Sequence, residues 1–409
     1  MKVLKRQLFT ELSDHLYEKE YTIITGARQT GKTTLLKQLE SELNSKNEKV
    51  YYFNLEDPEI LANLNRHPDN IFMYLTLESD GRTYVLIDEI QYLDNPSNFI
   101  KLLYDEYSSN LKLVVTGSSA FYIDKKIKDS LAGRKRLFKL YTLSFDEFIF
   151  FKTGETELID ELIKIRNNEK YLSLKRRELK ILFKEYLTFG GYPAVVLAKD
   201  EANKKLLLKD IFHSYLQKDI YESKIKDEKK FYNLLVLLAG QTGNLLNMNE
   251  LSNTLKISVT AVENYIYVLQ KSFHLHLIKP YHKNIRKELT KMPKIYFNDL
   301  GFRTAILNIY QDIETRIDKG LVIENYAFIR LREKFDMEYI KFWRTTSGNE
   351  VDFIIDDPGA ISKDAFEIKF NDASFRKVKY KKFTDAYPEY NLQLRAYLTD
   401  SNNTDILAL

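Results

Sequence analysis

Eight consecutive residues, Gly26-Ala27-Arg28-Gln29-Thr30-Gly31-Lys32-Thr33, follow the pattern GxxxxGK(S/T). These residue types suit a triphosphate. The glycines let backbone N–H groups wrap phosphate oxygens. A helix starting near Lys32 adds the positive end of its dipole. Lys32 is placed to reach the β- and γ-phosphates, and Thr33 to put its hydroxyl on Mg²⁺. The candidate nucleotide contacts are Gly26, Ala27, Arg28, Gln29, Thr30, Gly31, Lys32, Thr33 and Thr34. Glycine is scarce, 14 residues in 409. A chance match is about one or two in a hundred at the usual glycine share of ~7%.

A second group follows at Val85-Leu86-Ile87-Asp88-Glu89, an apolar run ending in two acids. Asp88 would hold Mg²⁺, directly or through water. Glu89 would orient and polarise the attacking water as a general base. The run Val114-Val115-Thr116-Gly117-Ser118-Ser119 comes next. A polar residue at its tip would lie between the first and third strands and sense the γ-phosphate. Thr116, Ser118 and Ser119 are the candidates, and Ser118 is the expected one.

The elements that must hold these groups are legible. Residues 1–20 have leucines at helical spacing. YTIIT at 21–25 reads as a buried strand leading into the loop, and TTLLKQLESELNSK as the helix leaving it. Further strands are expected at 49–57, 83–89, 111–119 and 136–144, with helical segments between. Buried strands alternating with helices predict a parallel, three-layer α/β domain.

Composition excludes several classes. The 44% hydrophobic fraction excludes a disordered chain or a rod. No apolar run approaches the ~18 residues of a membrane span, and the start of the chain lacks the pattern of a signal peptide. Cysteine is absent, so disulfides, thiolate metal sites and cysteine nucleophiles are excluded. A cytoplasmic location is expected. Net charge is +4, so a nucleic-acid surface would have to be a local patch. The six histidines show no metal-ligand spacing and read as core or surface residues.

These residues resemble the AAA+-type P-loop ATPases of bacteria and archaea, whose C-terminal part has a restriction-endonuclease-like fold. The similar stretches include ITGARQTGKTTLL, FNLEDPE, YVLIDEIQYL, VVTGSSAF, LAGRKRLFKLYTLSFDEF and LTFGGYPAVV. The resemblance implies ATP and Mg²⁺ on the Walker residues Lys32, Thr33, Asp88 and Glu89. Arg134 in Leu131-Ala132-Gly133-Arg134 resembles a finger or sensor arginine, with Arg136 as a competitor. A homo-oligomer or a protein partner is compatible with it.

Further along, Asn249–Leu255 reads as a short helix, and Ser258 caps a second helix whose buried stripe is Val262, Ile266 and Leu269. LHLIKPY, a loop and KIYFND follow, giving a helix-turn-helix with a β-hairpin wing. Eight basic residues lie in 255–294: Lys256, Lys271, Lys279, Lys283, Arg286, Lys287, Lys291 and Lys294. Only Glu263 and Glu288 oppose them, which suits contacts to DNA phosphates. A winged helix used for protein packing is the alternative.

Glu324 lies on the helix GLVIENYAFIRL, Glu350 and Asp352 in the strand NEVDFII, and Glu367 and Lys369 in FEIKF. Period-two alternation puts Glu367 and Lys369 on one face. The element order αβββαβ resembles the PD-(D/E)XK fold of restriction endonucleases. The resemblance gives Asp352 and Glu367 to a Mg²⁺, Lys369 to the nucleophilic water, and Glu324 to a further ligand position.

The expected architecture is therefore an α/β, AAA+-like ATPase core at 1–150, a helical lid region at 151–225, a winged helix at 226–300 and a restriction-endonuclease-like domain at 301–409. The expected catalytic residues are Glu89, Lys32, Arg134 and Ser118. The leading function is Mg²⁺-dependent ATP hydrolysis coupled to DNA handling. The rival is a slow nucleotide switch that regulates a protein partner, with an inert nuclease-like domain.

Overall fold

The computed structural model describes residues 4–79, 81–117, 131–168, 171–222, 225, 227–282, 291–360, 362–399, 401 and 404–409. Two compact units divide the chain: 1–142 with 271–273, and 143–270 with 274–409.

In the first unit, β1 (Tyr21–Thr25), β2 (Val50–Asn54), β3 (Thr83–Asp88), β4 (Leu111–Gly117) and β5 (Lys135–Lys139) form one sheet. Its spatial order is β2-β3-β4-β1-β5, and every neighbouring pair is parallel. β1, β3 and β4 are buried throughout, which explains their unbroken apolar sequences. Their side chains still alternate between two layers. Ile23, Val85, Ile87 and Val115 pack with Phe99, Ile100 and Leu103 of α4 (Pro96–Tyr107). Ile24, Leu86 and Val114 pack with α1 (Leu8–His15) and α2 (Lys32–Ser45) through Phe9, Leu12, Leu35, Leu36 and Leu39.

Of the boundaries that differ from the sequence expectation, two have a local reason; the fifth strand also ends early, at Lys139. The N-terminal helix stops at His15 rather than near residue 20. The buried Lys112 ammonium donates to the carbonyls of His15 at 2.6 Å, Glu18 at 3.0 Å and Glu20. Those carbonyls are thereby satisfied outside a helix. The second strand stops at Asn54, because Asp57 caps α3 (Pro58–Arg66). The Asp57 carboxylate accepts from the amides of Glu59 and Ile60, and proline fills the first helical position.

Since all five strands run the same way, their C-terminal ends lie on one edge. β1 ends at the glycine loop, β3 ends at Asp88, and β4 lies between them. That edge is where parallel α/β sheets bind ligands.

The second unit begins with helices Phe145–Thr153, Glu157–Asn167 and Arg176–Phe189. The Gly190-Gly191-Tyr192-Pro193 turn is tied to Asp299. One Asp299 oxygen accepts from the Gly191 amide at 2.8 Å, and the other caps helix Leu300–Leu307 through the Phe302 amide. Helices Met248–Leu255 and Val259–Lys271 precede an antiparallel hairpin of β6 (Leu275–Pro280) and β7 (Lys294–Phe297). Helix Lys319–Lys334 leads into β8 (Ile340–Arg344), β9 (Glu350–Ile355) and β10 (Lys363–Asn371). Helix Lys381–Ala386 and β11 (Tyr390–Leu398) complete the unit. The order helix, three strands, helix, strand is the one read from sequence.

β8, β9 and β10 are successively antiparallel, and β10 and β11 are parallel. β6 pairs in parallel with β8 at Lys279↔Lys341, so the hairpin extends the sheet to the order β11-β10-β9-β8-β6-β7. This sheet runs across residue 300. Among the described residues, no helix is long and apolar enough to cross a membrane.

Candidate functional site

The loop after β1 has the geometry its glycines imply. A Cβ on Gly26 would lie 2.0 Å from the carbonyl oxygen of Leu140, so only glycine fits. Gly31 sits at φ 95°, in the left-handed region, immediately before α2. The first turn of α2 holds Lys32, Thr33 and Thr34 and no acid, so nothing in it neutralises the helix dipole. Thr30 donates to the Ala27 carbonyl at 2.9 Å. The half-hidden Arg28, the exposed Gln29 at φ 61°, and the exposed Thr33 and Thr34 line the outside of the loop.

The Lys32 ammonium donates to the carbonyls of Gly26 at 2.9 Å and Ala27 at 2.8 Å. It thus lies across the mouth of the loop. A residue absent from the sequence expectation braces the same loop. Arg6 donates to the carbonyls of Thr30 at 2.8 Å and Tyr141 at 2.9 Å. Nothing in the pattern around Arg6 announced this role.

Asp88 is 2% exposed and accepts from three hydroxyls. Thr33 donates to its Oδ2 at 2.6 Å, Tyr52 donates to the same oxygen at 3.2 Å, and Thr116 donates to Oδ1. Thr33 and Asp88 are an adjacent all-oxygen pair. Hard cations such as Mg²⁺ take such donors, usually with one or two carboxylates and the substrate phosphates. The residues present therefore fit a Mg²⁺–triphosphate. Burial, then the charge of Asp88, push the Tyr52 hydroxyl above the usual tyrosine range.

Glu89 follows in a left-handed backbone conformation, φ 59°. For a non-glycine residue this stores about 1–3 kcal/mol. Its amide donates to the Thr116 hydroxyl at 3.2 Å, and the buried Gln91 donates through Nε2 to Glu89 Oε2. Thr116 therefore joins both acids, a position made by β4 lying between β1 and β3. Ser118, the expected sensor, and Ser119 lie outside the described residues. Tyr52 and Gln91 were not anticipated. The only traces in the sequence are a tyrosine in the middle of the second strand and the glutamine two positions after Glu89.

Arg134 is at the other end of the sheet. Lys135 is in register with Tyr21 at the start of β1, while the loop follows Thr25. The strand between spans about 13 Å at ~3.3 Å per residue. Arg134 instead grips Asp105, with Nε 2.6 Å from Oδ1 and Nη2 3.3 Å from Oδ2. Within its own chain, Arg134 does not face the glycine loop. Arg136 is a residue further along the same edge strand and pairs loosely with Glu11 at 3.4 Å.

The second unit gathers another set of charges. Glu324, Asp352, Glu367 and Lys369 come near one another, as their placement in sequence suggested, and an unforeseen residue meets two of them. Lys294 Nζ lies 3.0 Å from Glu324 Oε1, 2.6 Å from Glu350 Oε1 and 3.8 Å from Asp352 Oδ1. Tyr296 also donates to Glu324 at 2.6 Å. Asp352 Oδ2 accepts from the Ile368 amide at 2.8 Å, and Glu367 pairs with Lys369. Burial disfavours the Lys294 charge, but Glu324, Asp352 and Glu350 outweigh it and hold the ammonium above the ordinary lysine range. Burial, then Glu367 and Glu324, push the Asp352 carboxyl well above the usual carboxylate range. Among the described residues, no three histidine or acid side chains are arranged to hold a metal ion.

Lys294 corrects the expected basic surface. It is 1% exposed and faces acids, not solvent. Lys256, Lys279 and Lys291 are exposed, and Lys271 is half-buried. Lys283, Arg286 and Lys287 lie outside the described residues.

Residues 18–149 match the family described as an AAA domain. They are similar to AAA-type P-loop domains. Residues 180–312 and 319–406 match two domains of unknown function, DUF8612 and DUF4143. An uncharacterized protein of Methanocaldococcus jannaschii is 27% identical over 350 residues, covering 83% of this chain and 73% of that protein. One of Haemophilus influenzae is 28% identical over 348 residues, covering 81% and 78%. Among solved structures, the ADP form of the Aeropyrum pernix ORC2 protein overlaps 67% of this chain and 87% of its own, at 12% identity and a TM-score of 0.34.

Proposed function

We propose that this protein binds and hydrolyses ATP with Mg²⁺, and that hydrolysis is coupled to DNA handling. The observation that carries the nucleotide reading is the Thr33–Asp88 bond, made directly beside the Lys32 loop. Loop backbone and Lys32 would hold the phosphates, and Thr33 and Asp88 would hold Mg²⁺. The bound ion supplies charge neutralisation on the β- and γ-phosphates. Glu89 has the place of the base that orients water, one residue beyond Asp88 and tethered by Gln91.

The DNA reading rests on the helices Met248–Leu255 and Val259–Lys271 followed by the β6–β7 hairpin, a winged-helix arrangement. Thr260, Asn264 and Tyr267 on the second helix are exposed, as are Lys256, Lys279 and Lys291 nearby. The order from helix Lys319–Lys334 to β11 supports a restriction-endonuclease-like fold for 319–409, used for packing or binding. The tether on Glu89 also favours a second reading, a slow nucleotide switch acting on a protein partner.

ATP turnover measured with and without duplex or branched DNA tests the proposal. Strong stimulation by DNA supports ATP-driven DNA handling. Slow turnover that ignores DNA favours the switch. No turnover and no ATP binding would overturn both.

A further inference from the structure

We infer that Lys294 is the resident cation of the carboxylate cluster in the second unit, standing where the pattern Asp352…Glu367-x-Lys369 would call for a divalent metal. This inference does not depend on the ATPase reading, since every residue in it belongs to the second unit.

The positions of the groups carry it. Four acids meet here: Glu324 from helix Lys319–Lys334, Glu350 and Asp352 from β9, and Glu367 from β10. A shared metal would need oxygens of Asp352 and Glu367 to converge at about 2.0–2.1 Å, the distance Mg²⁺ demands. Glu324 and Glu350 are each paired twice, and Asp352 and Glu367 each have one oxygen hydrogen-bonded. Asp352 gives one oxygen to the Ile368 amide and turns the other toward Lys294. Glu367 accepts from Lys369 through Oε1, while its buried Oε2 has no hydrogen-bond partner among the described residues. Glu324 accepts from both Lys294 and Tyr296, and Glu350 from both Lys294 and Arg344.

An ammonium suits that centre, because it has three donors and no acceptor. Lys294 reaches three of the four acids within 4 Å. Three cations, Lys294, Lys369 and Arg344, thus offset four carboxylates without a metal.

The backbone holds the lysine in place. Lys294 opens β7 and is in register with Ile278 of β6. On its other side it bridges to Leu245, and the Leu246 amide donates to the carbonyl of Pro293 at 2.8 Å. The side chain is 1% exposed, so the ammonium has no route to solvent without moving the strand. The wing-like hairpin therefore delivers the counter-ion of the following domain.

The test is Mn²⁺ binding to the full chain without nucleotide, read as the loss of the free-ion electron paramagnetic resonance signal. Wild type and Asp352→Asn should bind Mn²⁺ equally, because Asp352 serves no ion. Lys294→Ala should gain one Mn²⁺ per chain, and Lys294→Ala/Asp352→Asn should lose it again. The melting temperature of Lys294→Ala should fall in metal-free buffer and recover with Mn²⁺. Mn²⁺ binding by wild type that Asp352→Asn abolishes would overturn the inference. So would a folded Lys294→Ala that gains no site. If Lys294→Ala does not fold, the wild-type and Asp352→Asn comparison decides alone: equal binding supports the inference, and unequal binding overturns it.

Discussion

The hydroxyl of Thr33 donates to Asp88 at 2.6 Å, although 55 residues separate the two in sequence. The bond joins the start of α2 to the end of β3 across the β4 position, so the glycine loop and Asp88, which we propose bind phosphates and Mg²⁺, are already in register. Thr33→Val should abolish the affinity that Mg²⁺ adds to ATP binding and leave metal-free binding nearly unchanged. Lys32→Ala should weaken ATP binding with or without Mg²⁺, by about 2–5 kcal/mol for a buried charge pair. Titration with a fluorescent ATP analogue, with and without Mg²⁺, measures both. Equal losses for the two variants under both conditions would refute the division of labour.

If Glu89 is the proposed base, variants of Glu89 and Gln91 should separate binding from chemistry. Glu89→Gln keeps the shape of the side chain and removes the base. Turnover should fall about 10²–10⁴-fold with ATP affinity kept. Gln91→Ala removes the donor to Glu89 Oε2, so kcat should fall about 10–100-fold, by analogy with the loss of residues that orient metal ligands. KM should stay put, because Gln91 orients the base and not the nucleotide. A steady-state split of kcat from KM checks this. A change in KM alone would place Gln91 at the nucleotide.

The sequence was most informative where one local rule decides. GxxxxGK(S/T) between a strand and a helix located the loop, and an apolar run ending in Asp88-Glu89 located the acids. Helix ends were less legible, because they depend on distant partners. Lys112 stops α1 from a strand nearly a hundred residues away. Lys294 was the largest miss. Its neighbours in sequence are basic, so it reads as one more lysine of a wing, and only the pairing of β6 with β8 brings it to Glu324 and Glu350. Asp352, Glu367 and Lys369 were found together, but the lysine beside Asp352 came from outside their own segment.

Arg134 bonds Asp105 at the sheet end opposite its own glycine loop. A finger role is therefore expected only toward a neighbouring subunit. Arg134→Ala should keep ATP affinity and lose hydrolysis, and mixing it with Glu89→Gln should restore part of the turnover. In such a mixed assembly, one subunit supplies the arginine and the other an intact base. Affinity and turnover across mixing ratios measure this. An Arg134→Ala protein with normal turnover would make the arginine a surface partner of Asp105 only.

Charge reversal at Lys256, Lys279 and Lys291 should weaken DNA binding for all sequences alike. Every lysine that pairs with a phosphate should, once reversed, reduce the slope of log affinity against log salt by about 0.9. Lys294→Ala should not belong to this series, because its ammonium faces acids in the interior. Fluorescence anisotropy across a salt series tests both statements. An unchanged slope for the three exposed lysines would direct this surface toward protein.

Two buried histidines set an acid limit on stability. The His274 ring stacks on Phe302 at 4.2 Å and meets the edge of Tyr215 at 3.9 Å, and burial lowers its pKa to about 3. His15 is lowered to about 4, first by burial and then by Lys112 and Arg136. In the unfolded chain both titrate near 6.5. Above that pH neither state is charged, and the histidines contribute no pH dependence. Below it the unfolded chain takes up protons that the folded chain refuses, so stability falls as pH falls. The loss amounts to about 2 kcal/mol per histidine by pH 5. Buried carboxyls such as Asp352, raised in the folded state, act with the opposite sign, so the histidine share is read as the difference between wild type and each histidine variant. The difference in urea midpoint between wild type and each histidine variant should be constant from pH 8 to 7 and change below 6.5. His274→Phe keeps an aromatic ring against Phe302 and should remove the His274 share of the decline, while His15→Gln removes the other. A decline of the same slope in wild type and both variants would mean that other groups carry the acid sensitivity.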